Sequence, residues 1–363
     1  MKAQLPDLSF IPLGIAILVL SYIATLIMIR VGIHDVPIRR SSHQKITPKS
    51  GGVGIIIGFF FGMGVLYTQG KLGHVSTVKL ALLTVGALLT VLVSLIDDVR
   101  RLSSAQKLIV QIIAGLFVIG AGLKLSILPT PLGIIKLGTL GSILGFFWII
   151  FFINVFNFMD GLNGLASGTS IISCFFCAAI AFFLNEIALF YVSFCLGVAT
   201  LGFFFLNFPK AKIFMGDVGS QFIGLLWAVL LLIPSQEAHA STMNFSVYTV
   251  PLLFFSFIYD VSMTVIRRIW RREAFWLAHR THLFQLLNRL GYSHAQVTYF
   301  HLGMAVLQGI GAILMQKLNT QYQILVFIPY LLFMASYHAW VTKKVFKKFA
   351  RLHRKKRKLK TKK

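Results

Sequence analysis

The sequence predicts an all-α, polytopic membrane protein. Of its 363 residues, 57% are hydrophobic and only 12% charged, about half the charge of an ordinary soluble domain. The mean hydropathy is +0.81. Apolar runs near the roughly 20 residues that a bilayer-crossing helix needs recur along the chain. They do not alternate polar and apolar residues as the strands of a membrane barrel would.

Eleven candidate spans follow in order, near 8–29, 51–68, 79–96, 108–123, 140–158, 168–184, 187–206, 219–234, 247–266, 297–315 and 322–341. The first is longer than a signal-peptide core and lacks a small-residue cleavage site, so a retained span is expected. The second is rich in glycine, and the third ends in two acids. The fifth carries a polar ridge near its end, and the eighth opens on glycine and serine. Cys174, Cys177 and Cys195 fall inside apolar runs with no other ligand type beside them, which predicts inert core thiols. No internal repeat suggests a transporter built from two halves.

Charge sets the orientation. The chain has 35 Lys and Arg against 10 Asp and Glu, a formal +25. These basic residues sit between apolar stretches and form no soluble basic face, which excludes nucleic acid and points to anionic lipid or an anionic substrate. With the N-terminus outside, only Lys2, Lys71, Lys79, Lys124, Lys136 and Lys317 fall on the outer side, and the other 29 face inward. Basic residues favour the cytoplasmic side, so the C-terminus is expected there. Residues 343–363 form a basic tail expected on anionic inner-leaflet lipid, each charge contributing about 1 kcal/mol near the surface.

The ten acids, of which Glu273 falls in the last inner loop, are scarce enough to place singly. Asp7, Glu186 and Glu237 lie on the outer side, whereas Asp35, Asp97, Asp98, Asp160 and Asp217 fall in four inward stretches. Asp260 lies within a span near its inner end. Ionisable residues at membrane depth are costly enough to suggest function. The first inner stretch, His34 to Gly52, is basic and turn-rich, with Lys45 and Lys49 before glycines that allow close approach to an anion. Asp97 and Asp98 repel each other unless a cation intervenes, either a hard metal such as Mg²⁺ or Arg100 and Arg101. Asn154, Asn157 and Asp160 recur every third residue and so form one polar ridge on an apolar helix, broken by Gly161 and Gly164. Asp217 lies between Gly216 and Gly219, where a helix start favours phosphate. The last inner loop carries Arg280 and His282, which suit a phosphate-bearing substrate.

The Asp97-Asp98 pair, Asn154-x-x-Asn157-x-x-Asp160-Gly161, Phe214-Met215-Gly216-Asp217-x-Gly219-Ser220 and the His282 loop, in this order, resemble the polyprenyl-phosphate N-acetylhexosamine-1-phosphate transferases. Two positions depart from the common pattern of that family. Phe284 and Gln285 stand where further histidines usually follow His282, and Asn163 stands where a second acid is usual. The loop is more similar to the branch that initiates O-antigen synthesis than to the muramoyl-pentapeptide transferases.

The resemblance implies a multi-pass enzyme of the bacterial inner membrane whose transferase domain spans 1–342 and whose active site faces the cytoplasm. It implies Mg²⁺ as cofactor, a UDP-N-acetylhexosamine and undecaprenyl phosphate as substrates, and room for a homodimer. Asp217, Asp97, Asp98 and Asn154 are the expected metal ligands, with Asp97 the general base if one acts. Arg280 and His282 are expected to steady phosphates with Lys45 and Lys49 nearby, and Asn157 and Asp160 to bind the nucleotide. A lipid-linked sugar transporter is the rival from another class, but its mid-membrane stretches would carry more ionisable groups.

Overall fold

The computed structural model describes residues 10–35, 46–72, 75–233, 245–274 and 280–360, with side chains described to Lys348 and at Ala350. Lys45, expected near the phosphates, lies outside the described residues.

The chain is a bundle of helices. In order these are α1 (Phe10–Val31), α2 (Gly52–Thr68), α3 (Thr77–Arg100), α4 (Ser104–Gly120), α5 (Gly138–Met159), α6 (Leu165–Phe183), α7 (Ile187–Asn207), α8 (Gly216–Leu232), α9 (Thr249–Leu253), α10 (Phe255–Trp270), α11 (Leu283–Leu290), α12 (His294–Met315) and α13 (Phe327–Lys360). Two short antiparallel hairpins interrupt them: β1 (His34–Asp35) with β2 (Thr47–Pro48), and β3 (Ile127–Thr130) with β4 (Gly133–Lys136).

Every one of the eleven apolar stretches coincides with helix. Seven are long and apolar enough to cross a membrane: α1, α3, α5, α6, α7, α12, and the segment Thr320–Lys348 that includes the start of α13. Three more, α2, α4 and α8, are apolar but shorter. At 17 residues each, they run about 25 Å at 1.5 Å per residue. The stretch near 247–266 is not one helix, because it breaks at Phe254 into α9 and α10.

The helix α8 sits at the centre. From Val218 to Leu232 every residue is buried, as expected of a helix apolar on all sides. It packs against α2, α3, α5 and α9. Its seam with α2 is extremely close: a Cβ on Gly52 would collide with the Gly219 backbone. In lipid, where helices gain little from hydrophobic association, such small-residue contacts are a main source of helix packing. The same logic brings α2 to α1 through Gly54 and Gly58, which face Thr25 and Ser21.

Candidate active site

One end of α8 collects the acids. Gly216, at φ +76°, turns the chain into the helix with its Cα beside Asp98, where any Cβ would strike the carboxylate. Asp98 then accepts the N–H of Asp217 at 3.1 Å and that of Val218 at 3.4 Å. The first turn of α8 is thus capped by a carboxylate from α3, which satisfies orphan donors and opposes the positive helix end. This helix start, expected as a phosphate cradle, directs those two amides at Asp98 instead. Asp98 also accepts from the Ser50 hydroxyl at 2.8 Å and lies 3.8 Å from the Lys49 ammonium.

The segment carrying Lys49 and Ser50 is tied down from both sides. The Phe214 N–H donates to Pro48, and the Gly51 and Gly52 amides donate to Phe214 and Met215 at 2.9 Å each. Two inner stretches far apart in sequence thus run side by side.

Asp97 points the other way. One oxygen accepts the Leu102 N–H at 2.6 Å and closes the end of α3, where Arg101 adopts a left-handed conformation. Its other oxygen lies 2.5 Å from the Lys107 ammonium, which is 2.6 Å from Asp217. Lys107 therefore bridges the two carboxylates. The cation beside Asp97 is neither Arg100 nor Arg101, and Arg101 is instead 3.7 Å from Asp35.

Asp217 further accepts from Asn157 at 3.2 Å and Gln221 at 3.4 Å, and Asn157 donates to the Ser220 hydroxyl at 2.8 Å. Gln111 donates to Gln221 at 3.3 Å and accepts from Asn154 at 2.7 Å. A line of amides thus runs from Asp217 across α8, α4 and α5.

Asp98, Asp217 and Asn157 border a cavity of about 350 Å³, within the usual range for small-ligand sites. Its charged lining residues are Asp35, Lys49, Asp98, Asp160, Asp217 and Arg280, and its neutral polar ones include Asn157, Asn163, Asn207, Gln285 and Asn288. Lost hydration first, then the charges of Asp217 and Asp98, push the Asp160 carboxyl up to about 7.

Of the expected site residues, Asp98, Asp217, Asn157, Asp160, Lys49 and Arg280 therefore meet at one cavity. Three do not reach it. Asp97 is turned toward Lys107, and Asn154 is bonded to Gln111 and to the Ile150 carbonyl. His282 is 2% exposed and stands 3.4 Å from Asp260, stacked on Phe284. His282, expected to steady phosphate, is not among the residues that line the cavity.

Lys107, Gln111, Gln221 and Ser50 were not anticipated as site residues. The first three carry a readable signal. Lys107 and Gln111 are one turn apart on an apolar helix, as are Asp217 and Gln221, and such pairs share a face. Polar pairs of this kind in membrane helices turn inward.

Among the described residues no group of three His, Cys, Asp or Glu side chains is gathered as a metal cage. Mg²⁺ seldom uses one; it commonly takes one or two carboxylates and completes its shell with water and substrate phosphates. The hard oxygens of Asp217 and Asp98 on one cavity wall fit that mode.

Fold and site together define a membrane-embedded helical protein with a mixed acidic and basic cavity suited to a polyanionic ligand. The family model for glycosyl transferase family 4 matches residues 80–235. A probable undecaprenyl-phosphate N-acetylglucosaminyl 1-phosphate transferase of Bacillus subtilis (strain 168) is 31% identical over 291 residues, 79% of this chain and 78% of that protein. A decaprenyl-phosphate N-acetylglucosaminephosphotransferase of Mycobacterium tuberculosis is 30% identical over 314 residues, covering 78% and 77%. An undecaprenyl-phosphate alpha-N-acetylglucosaminyl 1-phosphate transferase of Salmonella typhi is 29% identical over 300 residues, covering 80% and 78%. The chain belongs to glycosyl transferase family 4 and is a sugar-1-phosphate transferase.

Proposed function

We propose that the protein transfers N-acetylglucosamine-1-phosphate, or a 6-deoxy relative, from its UDP donor to undecaprenyl phosphate. UMP leaves and undecaprenyl-diphosphate-sugar forms, the first membrane step of O-antigen or another cell-envelope polysaccharide. The observation that carries this reading is the meeting of Asp98, Asp160, Asp217, Lys49 and Arg280 at one cavity, joined to the relatives' printed activities. In this reading the chain crosses the inner membrane eleven times with the N-terminus outside, so that the cavity faces the cytoplasm. Residues 1–342 form the transferase domain, and the basic tail from 343 lies on anionic lipid.

The acceptor is a phosphate monoester, already largely dianionic at pH 7, so it needs little help from a base. One of its oxygens attacks the donor's sugar-bearing phosphorus, and the bridging P–O bond breaks with its electrons leaving on UMP. The obstacle is anion meeting anion, which positioning and fixed positive charge must overcome. Lys49 and Arg280, both lining the cavity, supply that charge. Asp217 and Asp98 would hold Mg²⁺, which when bound would neutralise the pyrophosphate. Asn157 orients Asp217, and Asp160 accepts from the nucleotide.

The test is direct. Purified protein with undecaprenyl phosphate, Mg²⁺ and a panel of UDP-sugars should release UMP, fastest with UDP-N-acetylglucosamine. Release with no UDP-hexosamine would sink the reading, and release with the muramoyl-pentapeptide donor alone would replace its sugar.

A further inference from the structure

Asp260 has no role in the chemistry above, yet it is only 2% exposed. A buried carboxylate persists when its lone pairs are used, and those of Asp260 are. Its two oxygens accept the Leu283 N–H at 3.0 and 2.9 Å. The Thr264 hydroxyl donates to one oxygen at 3.3 Å, and the His282 ring stands 3.4 Å from the same oxygen.

Leu283 is the first residue of α11, so α10 supplies the cap of another helix. One turn beyond Thr264, the Arg267 guanidinium donates to the Thr281 carbonyl at 2.8 Å. The chain from 281 to 283 is therefore pinned to α10 at both ends. Between the pins, His282 stacks on Phe284 at 5.8 Å between centroids. Phe284 in turn fills the space beside Gly161, where an added Cβ would lie 2.8 Å from its ring. The segment so held brings Arg280, Gln285 and Asn288 to the cavity.

We propose that Asp260 is a positioning residue for the donor: acting through Leu283 and His282, it holds the 280–288 wall so that Arg280, Gln285 and Asn288 meet the UDP-sugar. This rests on the reading of the cavity as the donor site. It assigns His282 to the wall's support.

Kinetics on the full-length enzyme separate positioning from general support. In Asp260→Asn, KM for UDP-N-acetylglucosamine should rise about tenfold or more, while KM for undecaprenyl phosphate stays within about twofold. Combining it with Arg280→Ala should add little to the donor KM of Arg280→Ala alone, because coupled residues are not additive. Asp260→Glu, which keeps the charge, should recover part of the loss. Equal losses for both substrates, or full additivity in the double variant, would overturn the inference.

Hydrogen exchange needs no turnover. The Leu283 amide should exchange at least tenfold faster in Asp260→Ala than in the wild type, or in Asp260→Asn should the alanine variant not fold, and an unchanged rate would overturn the inference. If the wild type turns over no UDP-sugar, the functional reading fails, while exchange still decides whether Asp260 holds α11.

Discussion

Lys107 is the residue whose removal tells most about the acidic cluster. Its ammonium touches Asp97 and Asp217 at once, so Lys107→Met leaves two carboxylates facing each other without a counterion. Breaking a buried pair costs about 3–5 kcal/mol. With the lysine 29% exposed, roughly half that is expected, a fall of a few degrees in melting temperature in EDTA. Mg²⁺ should raise the melting temperature more in this variant than in the wild type. No difference in the Mg²⁺ response would show that the lysine does not share the carboxylates with a cation.

Asp160 supplies a pH dependence whose sign can be worked out. With its carboxyl at about 7 in the folded protein and near 3.9 in an unfolded chain, the folded state holds an extra proton between those values. Stability of the metal-free protein therefore falls as pH rises from about 4 to about 7. Asp160→Asn removes this contribution and should raise the melting temperature at pH 8 relative to the wild type. Activity should move the opposite way. As an acceptor toward the nucleotide, Asp160 works when ionised, so donor KM should fall between pH 6 and 8 in the wild type and change less in Asp160→Asn. Equal pH profiles in the two proteins would remove Asp160 from nucleotide binding.

At the scale of elements, the α2–α8 seam is the contact with least tolerance. Gly52→Ala places a methyl against backbone atoms of Gly219, which cannot rotate away as a side chain can. Forced expansion of a packed interior costs about 1–3 kcal/mol. The Ser50 and Lys49 contacts to Asp98 would shift with the helix, so a lower melting temperature accompanied by at least tenfold loss of UMP release is expected. Retained activity at full stability would show that the seam can open.

The sequence reading succeeded where a feature is local. Hydropathy located the long apolar helices but neither α11 nor the break between α9 and α10, and the spacing singled out Asn157 and Asp160, which meet at the cavity although Asp160 lies just past the end of α5. It failed where two distant helices decide. Adjacent in sequence, Asp97 and Asp98 were read as one metal-binding pair, yet successive residues on a helix point about 100° apart, and one faces α4 while the other caps α8. His282 was read as a phosphate contact because it shares a loop with Arg280, whereas Asp260, 22 residues earlier, lies 3.4 Å from its ring.

For the whole molecule the basic residues predict an orientation with the N-terminus outside. Intact cells carrying Lys136→Cys should react with an impermeant maleimide, and those carrying Lys210→Cys should not. Cys174, Cys177 and Cys195 are buried and will not contribute. The reverse pattern would put the cavity on the outer face and contradict a UDP-sugar donor. Lys136 sits on the β3–β4 hairpin.

Lys107 also bears on how the protein is made. The α8 amides that Asp98 caps lie 119 residues downstream, which at 5–20 residues per second means about 6–24 s of synthesis, whereas its other partners, Lys49 and Ser50, precede it. Asp97 does not wait, because Lys107 arrives ten residues later in the next helix. The nascent α3–α4 pair can enter the bilayer with the charge of Asp97 already balanced by Lys107, while Asp98 rests at the helix end within reach of Lys49. The same ammonium that later steadies Asp217 would thus serve first as an escort for a charge that lipid would otherwise resist.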